Sequence, residues 1–167
     1  VGFGFGPIQP GLFLNSAIHS RAFDRLVVAE IMPDLVHAMR EAEGFYVTNI
    51  ASLSGVRHVT LGPIDLVDVG VPEDRDRLVE AIADAHEIGV AISTYKQYIT
   101  ESPGSVHRML AAGLRQKIAI DGPQTLIYAA ENHNRAKEML RDAVMSEVPA
   151  SEQDAIDARV QFVNTVI

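Results

Sequence analysis

The sequence of 167 residues has the length of one domain, and its 47% of hydrophobic residues is enough for a sizeable core. Its 22 acidic and 14 basic side chains give a formal net charge of −8, which argues against a nucleic-acid backbone or an anionic membrane as partner. Cysteine is absent, so disulfide bonds and thiolate metal sites are excluded, and the six histidines show no mutual spacing that suits a metal.

Two further features concern the protein as a whole. No apolar run approaches the roughly 20 residues of a membrane span, and the N-terminus has no basic, signal-like region, so we expect a cytoplasmic chain. The sequence opens inside a strand at Val1 and stops at Ile167 without a turn or cap. We therefore expect a fragment of a longer enzyme.

The first eleven residues, VGFGFGPIQPG, predict the end of a buried strand, a glycine turn and the start of a helix. A helix N-terminus gathers unpaired N–H groups and the positive end of the helix dipole, so it can hold a pyrophosphate where no side chain intervenes. Gly4 and Gly6 remove such side chains. In the dinucleotide fingerprint, however, Gln9 occupies the position of the third glycine. The turn alone also fits a strand-to-helix corner that needs glycine only for steric reasons.

The second signal is Glu30, which ends the apolar run of residues 26–29 and follows the turn by roughly the spacing expected of a ribose-binding acid. A carboxylate at this strand end accepts hydrogen bonds from the adenosine ribose hydroxyls and repels a 2′-phosphate. No Arg or Lys stands at residues 31–34, so the sequence favours NAD over NADP. The alternative is a solvated carboxylate at a strand end.

The remaining elements alternate between strand and helix, apart from one excursion. Helices are predicted at residues 12–19, 34–42, 73–86, 105–114, 135–145 and 151–163, and strands at residues 25–30, 45–50, 55–61, 65–71, 89–94 and 125–130. The run of three strands without a helix between them indicates a β-hairpin excursion. Residues 96–104 are predicted as a loop and residues 117–124 as a polar, turn-rich stretch.

This order of elements predicts an α/β fold with a doubly wound, mostly parallel sheet. Because the carboxyl ends of parallel strands meet at one edge of the sheet, residues from four strand ends should face one crevice. They are Gly4, Glu30, Thr94, Glu131 and Asn132.

Five stretches of the sequence carry a family resemblance. They are, in chain order, FGFGPIQPG (3–11), AEIMP (29–33), STYKQY (93–98), IYAAENHNRAKEML (127–140) and QFVNTVI (161–167). In these stretches the chain resembles the polyol dehydrogenases, a family that includes mannitol-1-phosphate 5-dehydrogenase, mannitol 2-dehydrogenase and the uronate oxidoreductases. The fourth stretch is the most specific, since it is similar to the family's I-x-A-C-E-N-x-x-R.

The resemblance implies the N-terminal Rossmann domain of a two-domain enzyme, whose C-terminal helical domain is absent from this chain. It implies hydride transfer between NAD and a sugar or polyol carbon without a metal. The family's catalytic lysine is expected outside these 167 residues, which alone should not catalyse the reaction. The implied partners are a small-molecule polyol or sugar phosphate and the missing helical domain.

The resemblance also implies roles for individual residues. The residues expected to wrap the pyrophosphate are Gly4, Phe5, Gly6, Pro7, Ile8 and Gln9. Glu30 and Ile31 are expected at the adenosine, Thr94 and Asn132 are expected at the nicotinamide ribose, and Glu131 is expected among the cofactor-binding residues. The alternatives are a plain strand-end hydroxyl at Thr94 and a helix N-cap pair at Glu131 and Asn132.

Asn164 matches a family asparagine whose amide helps to hold the developing alkoxide, which is an oxyanion-hole role.

Three departures from the family pattern leave the substrate open. Pro10 replaces a common arginine, Gln9 replaces glycine or histidine, and Ala130 replaces a cysteine. A missing arginine weakens the case for a phosphorylated substrate, because the planar guanidinium suits phosphate. The Glu-Asn pair and the valine of FVNTVI are nearer the mannitol-1-phosphate branch.

Two alternatives to a dehydrogenase stay open from the sequence. One is a non-catalytic, dinucleotide-sensing or interaction module that uses the same crevice. The other is a methyltransferase, which also pairs a glycine turn with an acid on the second strand but has no reason to contain the Glu-Asn and FVNTVI stretches.

Overall fold

The computed structural model describes residues 1–165, and within this range six strands form one sheet in the order β5-β2-β1-β6-β7-β8. The strands are β1 (Gly2–Phe3), β2 (Val27–Glu30), β5 (Asp65–Asp68), β6 (Glu87–Val90), β7 (Thr125–Ala129) and β8 (Val160–Asn164). All five neighbouring pairs are parallel. Counted along the chain without the hairpin, this is the order 3-2-1-4-5-6 of the doubly wound α/β sheet, which reverses between β1 and β6.

Helices follow most of these strands. They are a π-helical segment (Gln9–Leu14) continued by α1 (Asn15–Ser20), then α2 (Pro33–Glu41), α3 (Pro72–Asp84), α4 (Val106–Ala119), α5 (Ala136–Ser146) and α6 (Ala150–Asp157). A separate antiparallel hairpin pairs β3 (Tyr46–Ser52) with β4 (Gly55–Leu61). The predicted α/β class, the mostly parallel sheet and the hairpin excursion are confirmed.

The sheet is buried on both faces, as a parallel sheet requires. Successive residues of β2 point to opposite faces, so Val27 belongs to the larger core cluster and Val28 to the smaller. The larger cluster packs against α3, α4 and α5 through residues such as Leu78, Leu110 and Leu140. The two-sided core explains why the strand residues form continuous apolar runs in the sequence.

The helix predicted at residues 151–163 is wrong in its second half. Helix α6 ends at Asp157, and Val160–Asn164 forms β8 beside β7. Val160 and Phe162 are buried while Gln161 is exposed, which is the period of two that a strand shows. A short apolar run fits either period, and here the pairing with β7 decides in favour of the strand.

The stretch predicted as polar and turn-rich begins inside a helix, because α4 continues to Ala119. Lys117 on this last turn is fully buried, and its Nζ donates to the carbonyl oxygens of Ala83 (2.8 Å) and Ala85 (2.9 Å). Burial lowers the pKa of Lys117 to about 8. The ammonium group therefore caps the C-terminal end of α3, where a positive charge is favourable.

Several other predicted boundaries differ from the structure. The first helical segment begins at Gln9 rather than at residue 12, and β6 ends at Val90 rather than at residue 94. Helix α5 begins at Ala136 with Arg135 as its N-cap, so the alternative of a helix N-cap pair at Glu131 and Asn132 is wrong.

Candidate functional site

The glycine turn lies where the strand order reverses, directly after β1. Gly4 has a φ of +80°, and a Cβ at this position would lie 2.7 Å from the carbonyl oxygen of Ala91. Its N–H donates to the carbonyl oxygen of Ala29 (2.9 Å), so the turn is held between β2 and the chain after β6. Only glycine combines this conformation with such a close approach.

Gly6 is constrained differently. A Cβ at Gly6 would meet nothing within 4 Å, so the bare backbone faces open space. The helical segment begins at once, because the N–H of Gln9 donates to the Gly6 carbonyl oxygen (3.1 Å) and that of Gly11 to Pro7 (3.0 Å). These two N–H groups are used within the segment, so a phosphate at this helix start would be bound by the remaining backbone N–H groups beside the open space at Gly6.

Gln9 replaces the fingerprint glycine that allows a helix to pack closely on the sheet. Its side chain is 2% exposed and lies over β1 and β6, where a Cβ on Gly2 would overlap its Nε2 and a Cβ on Gly89 would lie 3.4 Å from its Oε1. Gly2 and Gly89 are register partners in the sheet. The missing helix glycine is therefore compensated by two strand glycines. The side chain of Gln9 lies under the turn, and only its backbone reaches the position expected at the pyrophosphate.

Glu30 ends β2 with its carboxylate turned toward the glycine turn. Its Oε2 accepts a hydrogen bond from the N–H of Phe5 (2.8 Å), and its Oε1 accepts from Ile31 (2.7 Å) and Met32 (3.2 Å). The residue is 7% exposed. A carboxylate offers about four acceptor positions, so one is left for a ligand hydroxyl. Glu30 thus braces the turn and still presents an acceptor, which the alternative of a solvated carboxylate does not describe.

A pocket of about 590 Å³ opens between these elements. Of the residues expected from the sequence, those that line it are Gly4, Phe5, Gly6, Glu30 and Ile31. Pro7 and Ile8 continue from the turn into the helix, where Pro7 is exposed and Ile8 is half-buried. The structure therefore brings together, around one pocket, five of the residues predicted to bind the pyrophosphate and the adenosine.

One wall of this pocket was not predicted from the sequence. It is formed by the loop before α4 and the start of that helix. The residues of this wall are Gln97, Thr100, Ser102, Gly104, Ser105 and Val106. A Cβ on Gly104 would overlap the carbonyl oxygen of Val69, so the loop packs directly on the chain after β5. The available signal was the Gly-Ser pair before an apolar helix, which reads as an ordinary helix start.

The other predicted residues lie farther along the same edge, after β6 and β7. Thr94 caps the 3₁₀ turn of Tyr95–Gln97, with its Oγ1 accepting from the N–H of Lys96 (3.4 Å). The ring of His133 contacts that of Tyr95 at a tilt of 47°, with 4.9 Å between centroids, and Asn132 beside it is exposed. In the part of the chain that the structure describes, Thr94, Glu131 and Asn132 are not among the residues that line the 590 Å³ pocket.

Glu131 and Tyr98 are the buried polar pair at this end. Within residues 1–165, neither Glu131 Oε1 nor the Tyr98 hydroxyl has a hydrogen-bond partner, although both atoms are buried. Burial raises the pKa of Glu131 against an opposing effect of His133. Burial, with the charge of Glu131 second, also raises the pKa of the Tyr98 hydroxyl. Buried polar atoms without partners mark a place where another group completes the structure.

Asn164 lies at the end of β8, in register with Ala129 of β7. Its Oδ1 accepts from the N–H of Lys137 (2.8 Å), and its Nδ2 donates to the carbonyl oxygen of Asn134 (2.9 Å). The amide is thereby fixed in orientation, and one of its two N–H groups is left over. Val166 and Ile167 of the QFVNTVI stretch lie outside the described residues.

Residues 1–165 show neither a metal centre nor a membrane-spanning helix. That range contains no group of three or more His, Cys, Asp or Glu side chains placed to hold a metal ion. None of the helices in the described part of the chain is long and apolar enough to span a membrane.

Comparison with known proteins identifies relatives of the whole chain. The sequence is 28% identical over 167 residues to a mannitol-1-phosphate 5-dehydrogenase of Bacillus pumilus and 24% identical over 165 residues to one of Bacillus licheniformis. Each match covers 99% of this chain but 40% of the relative, so the chain spans about two fifths of the length of these curated relatives.

Two solved structures share the fold. A D-sorbitol dehydrogenase in substrate-free form superposes with a TM-score of 0.78 and 15% identity, over 96% of this chain and 40% of its own. The mannitol 2-dehydrogenase of Pseudomonas fluorescens, in a ternary complex with NAD and D-mannitol, gives a TM-score of 0.77 and 15% identity, over 96% of this chain and 39% of its own.

The sequence also matches, over residues 1–167, the family model described as the mannitol dehydrogenase Rossmann domain. This match confirms the resemblance to polyol dehydrogenases. The chain belongs to the mannitol dehydrogenase family and corresponds to its Rossmann domain.

Proposed function

We propose that the chain is the N-terminal, NAD-binding domain of an oxidoreductase that transfers a hydride between NAD and a hexitol or hexitol phosphate. The observation that carries the proposal is the pocket formed by the glycine turn and Glu30 at the point where the strand order reverses. Membership of the mannitol dehydrogenase family supports the reaction class, and the related mannitol 2-dehydrogenase complex, which contains NAD, supports the cofactor.

The adenosine end of the pocket suits NAD. The backbone from Gly4 to Gly6 and the helix that follows would hold the pyrophosphate, and the remaining acceptor of Glu30 would bind a ribose hydroxyl. The side chains that follow are Ile31, Met32, Pro33 and Asp34, which offer no positive charge to a 2′-phosphate. NAD should therefore bind more tightly than NADP.

The nicotinamide end would receive the substrate. Thr94, Glu131 and Asn132 are proposed to border the nicotinamide ribose. Bound NAD supplies a carbon that accepts the hydride from the substrate carbinol, while the hydroxyl proton passes to a base. We propose that this base is a lysine of a C-terminal helical domain, and that the free N–H of Asn164 stabilises the developing alkoxide.

The substrate is proposed at the level of a hexitol or its phosphate. The two sequence relatives act on mannitol 1-phosphate by name, and the structural neighbours are named for sorbitol and mannitol. Pro10 in place of the family arginine argues against a phosphorylated substrate, and the Glu-Asn pair argues for one.

The test uses the full-length enzyme with Glu30→Gln, which keeps the side-chain volume and removes the charge. NAD affinity should fall about tenfold or more, because hydrogen bonds to a charged acceptor are the stronger ones. The preference for NAD over NADP should shrink as the repulsion of the 2′-phosphate disappears. Titration calorimetry with both cofactors measures these changes. Glu80→Gln on the exposed face of α3 is the matched control and should change neither affinity.

Oxidation of mannitol and mannitol 1-phosphate by the wild-type enzyme then separates the proposed function from its rival. NAD binding without turnover of any hexitol or hexitol phosphate would point to a dinucleotide-sensing module. Unaltered NAD affinity in Glu30→Gln would contradict the assignment of the adenosine ribose to Glu30.

A further inference from the structure

Ser105 stands at the start of α4 but does not act as a helix cap. It occupies the N-cap position, where a serine side chain ordinarily accepts a hydrogen bond from the first turn. Its Oγ makes no such bond, and among the described residues this buried oxygen has no partner at all. The residue is 5% exposed and lines the 590 Å³ pocket. An unpartnered buried hydroxyl is unfavourable for folding, so it needs another explanation.

Other residues that line the same pocket are apolar, and some of them are exposed. Ile31 and Met32 are 73% and 58% exposed on the side of β2, and Leu35 continues that side. Val69 and Val106 line the pocket as well. Large apolar side chains left exposed at a pocket are suited to cover a flat apolar ring. Next to the ribose-binding position of Glu30, the ring of a dinucleotide is its adenine.

The loop that carries Ser105 is held in place from outside the pocket. Arg108 Nη1 donates to the carbonyl oxygens of Glu101 (2.9 Å) and Ser102 (3.3 Å), and the N–H of His107 donates to Tyr98 (3.1 Å). The N–H of Ser105 itself donates to the carbonyl oxygen of Ser102 (3.1 Å). The backbone of Ser105 is therefore fixed before any ligand binds, and the χ1 rotamer of its side chain is the only torsion that can still change.

We propose that Ser105 is a cofactor-binding residue whose hydroxyl recognises the adenine of NAD, and that it is serine for this reason rather than to cap α4. This inference rests on the proposed NAD site. Rotation about χ1 turns the hydroxyl into the pocket, which Met32 and Val69 also line, and there it donates to a ring nitrogen of adenine or accepts from the exocyclic amine. Binding thereby supplies the partner that the hydroxyl lacks in the protein alone.

The experiment compares Ser105→Ala with Ser146→Ala in the full-length enzyme. Ser146 Oγ donates to the carbonyl oxygen of Ala143 (2.7 Å) at the end of α5, so its loss removes a formed hydrogen bond outside the pocket. Thermal unfolding is measured for each variant. Dissociation constants are measured by calorimetry for NAD, for AMP as the adenosine half, and for nicotinamide mononucleotide as the other half.

For Ser105→Ala we expect an unchanged melting temperature and about three- to tenfold weaker binding of both NAD and AMP, with nicotinamide mononucleotide unaffected. Ser146→Ala should bind all three as the wild type does. A lower melting temperature with unchanged binding would show that Ser105 is a helix cap and overturn the inference alone. A wild-type enzyme that binds neither NAD nor AMP would overturn both the inference and the proposed function.

Discussion

The two ends of the crevice differ in how completely the domain satisfies the carboxylate that each end contains. At the end formed by β1 and β2, the Glu30 carboxylate accepts three backbone N–H groups, and the N–H of Gly4 is bonded to Ala29. At the end beyond β6 and β7, the buried Tyr98 hydroxyl and Glu131 Oε1 have no partner among residues 1–165. One end is braced by the domain, and the other is not.

This difference follows from what each end has to bind. A phosphate- and ribose-binding turn must be preformed, since its backbone donors bind the ligand directly. The unpartnered polar groups at the other end would gain partners from the substrate or the second domain proposed above. We therefore expect substitutions that disturb the packed contacts of the braced end to destabilise the protein, and removal of the unpartnered groups at the open end to spare it.

The largest effect is expected for Gly4→Ala, which tests whether the turn is structurally required. Alanine would have to adopt a φ of +80° with its Cβ 2.7 Å from the Ala91 oxygen. The free energy of unfolding should fall by about 2–4 kcal/mol, from backbone strain and overpacking together. Urea denaturation of the purified protein measures this loss.

Gly6→Ala is the matched control for the same turn. Its Cβ would meet nothing within 4 Å, so the free energy of unfolding should stay within about 0.5 kcal/mol of the wild type. NAD affinity should nevertheless fall by about tenfold, because the methyl group occupies the approach of the pyrophosphate. Unchanged NAD affinity in Gly6→Ala would contradict a binding role for the turn, and equal stability losses in the two variants would contradict the different surroundings of the two glycines.

An intermediate effect is expected beneath the turn, where Gly2 accommodates Gln9. Gly2→Ala should lower the free energy of unfolding by about 1–3 kcal/mol, since the added Cβ overlaps the buried amide of Gln9 and forces it to shift. Adding Gln9→Ala should recover part of that loss, as expected for residues in contact. A double-mutant cycle by urea denaturation measures the coupling, and strictly additive losses would contradict the compensation between strand glycines and Gln9.

The braced end was predictable from the sequence because its signals are local. Gly4 and Gly6 meet requirements of the backbone, and Glu30 supplies a charge, at the spacing of the dinucleotide fingerprint. In the structure all three residues line the same pocket. The parallel sheet and the hairpin followed from element order in the same way.

Other features depend on contacts between distant segments, and the sequence could not show them. Lys117 looked like a turn residue because its partners, Ala83 and Ala85, lie on another helix end. β8 looked like a helix until its pairing with β7 was known. Ser105 was predicted as the first residue of an ordinary helix, and only the structure shows that it occupies the N-cap position without making a cap bond.

The smallest changes in the free energy of unfolding are expected at the open end, where the sign is opposite because the variants should be no less stable than the wild type. Tyr98→Phe removes a buried hydroxyl without a partner, so the free energy of unfolding should stay unchanged or rise by up to about 1 kcal/mol. If this hydroxyl serves the assembled site, kcat of the full-length enzyme should fall while stability does not. Parallel measurement of urea denaturation and hexitol oxidation gives both quantities.

Glu131→Gln adds a pH dependence to this comparison. Burial raises the pKa of Glu131 in the folded chain above 4.5, so ionisation is less favourable in the folded state than in the unfolded state. The stability contributed by this group is therefore present below pH 4.5 and lost as pH rises through the raised folded pKa. Glutamine does not ionise, so the advantage of Glu131→Gln over the wild type should grow as pH increases above 4.5 and then level off. Urea denaturation of both proteins across this range measures it, and a variant that loses stability with rising pH relative to the wild type would show that Glu131 is paired in the folded chain.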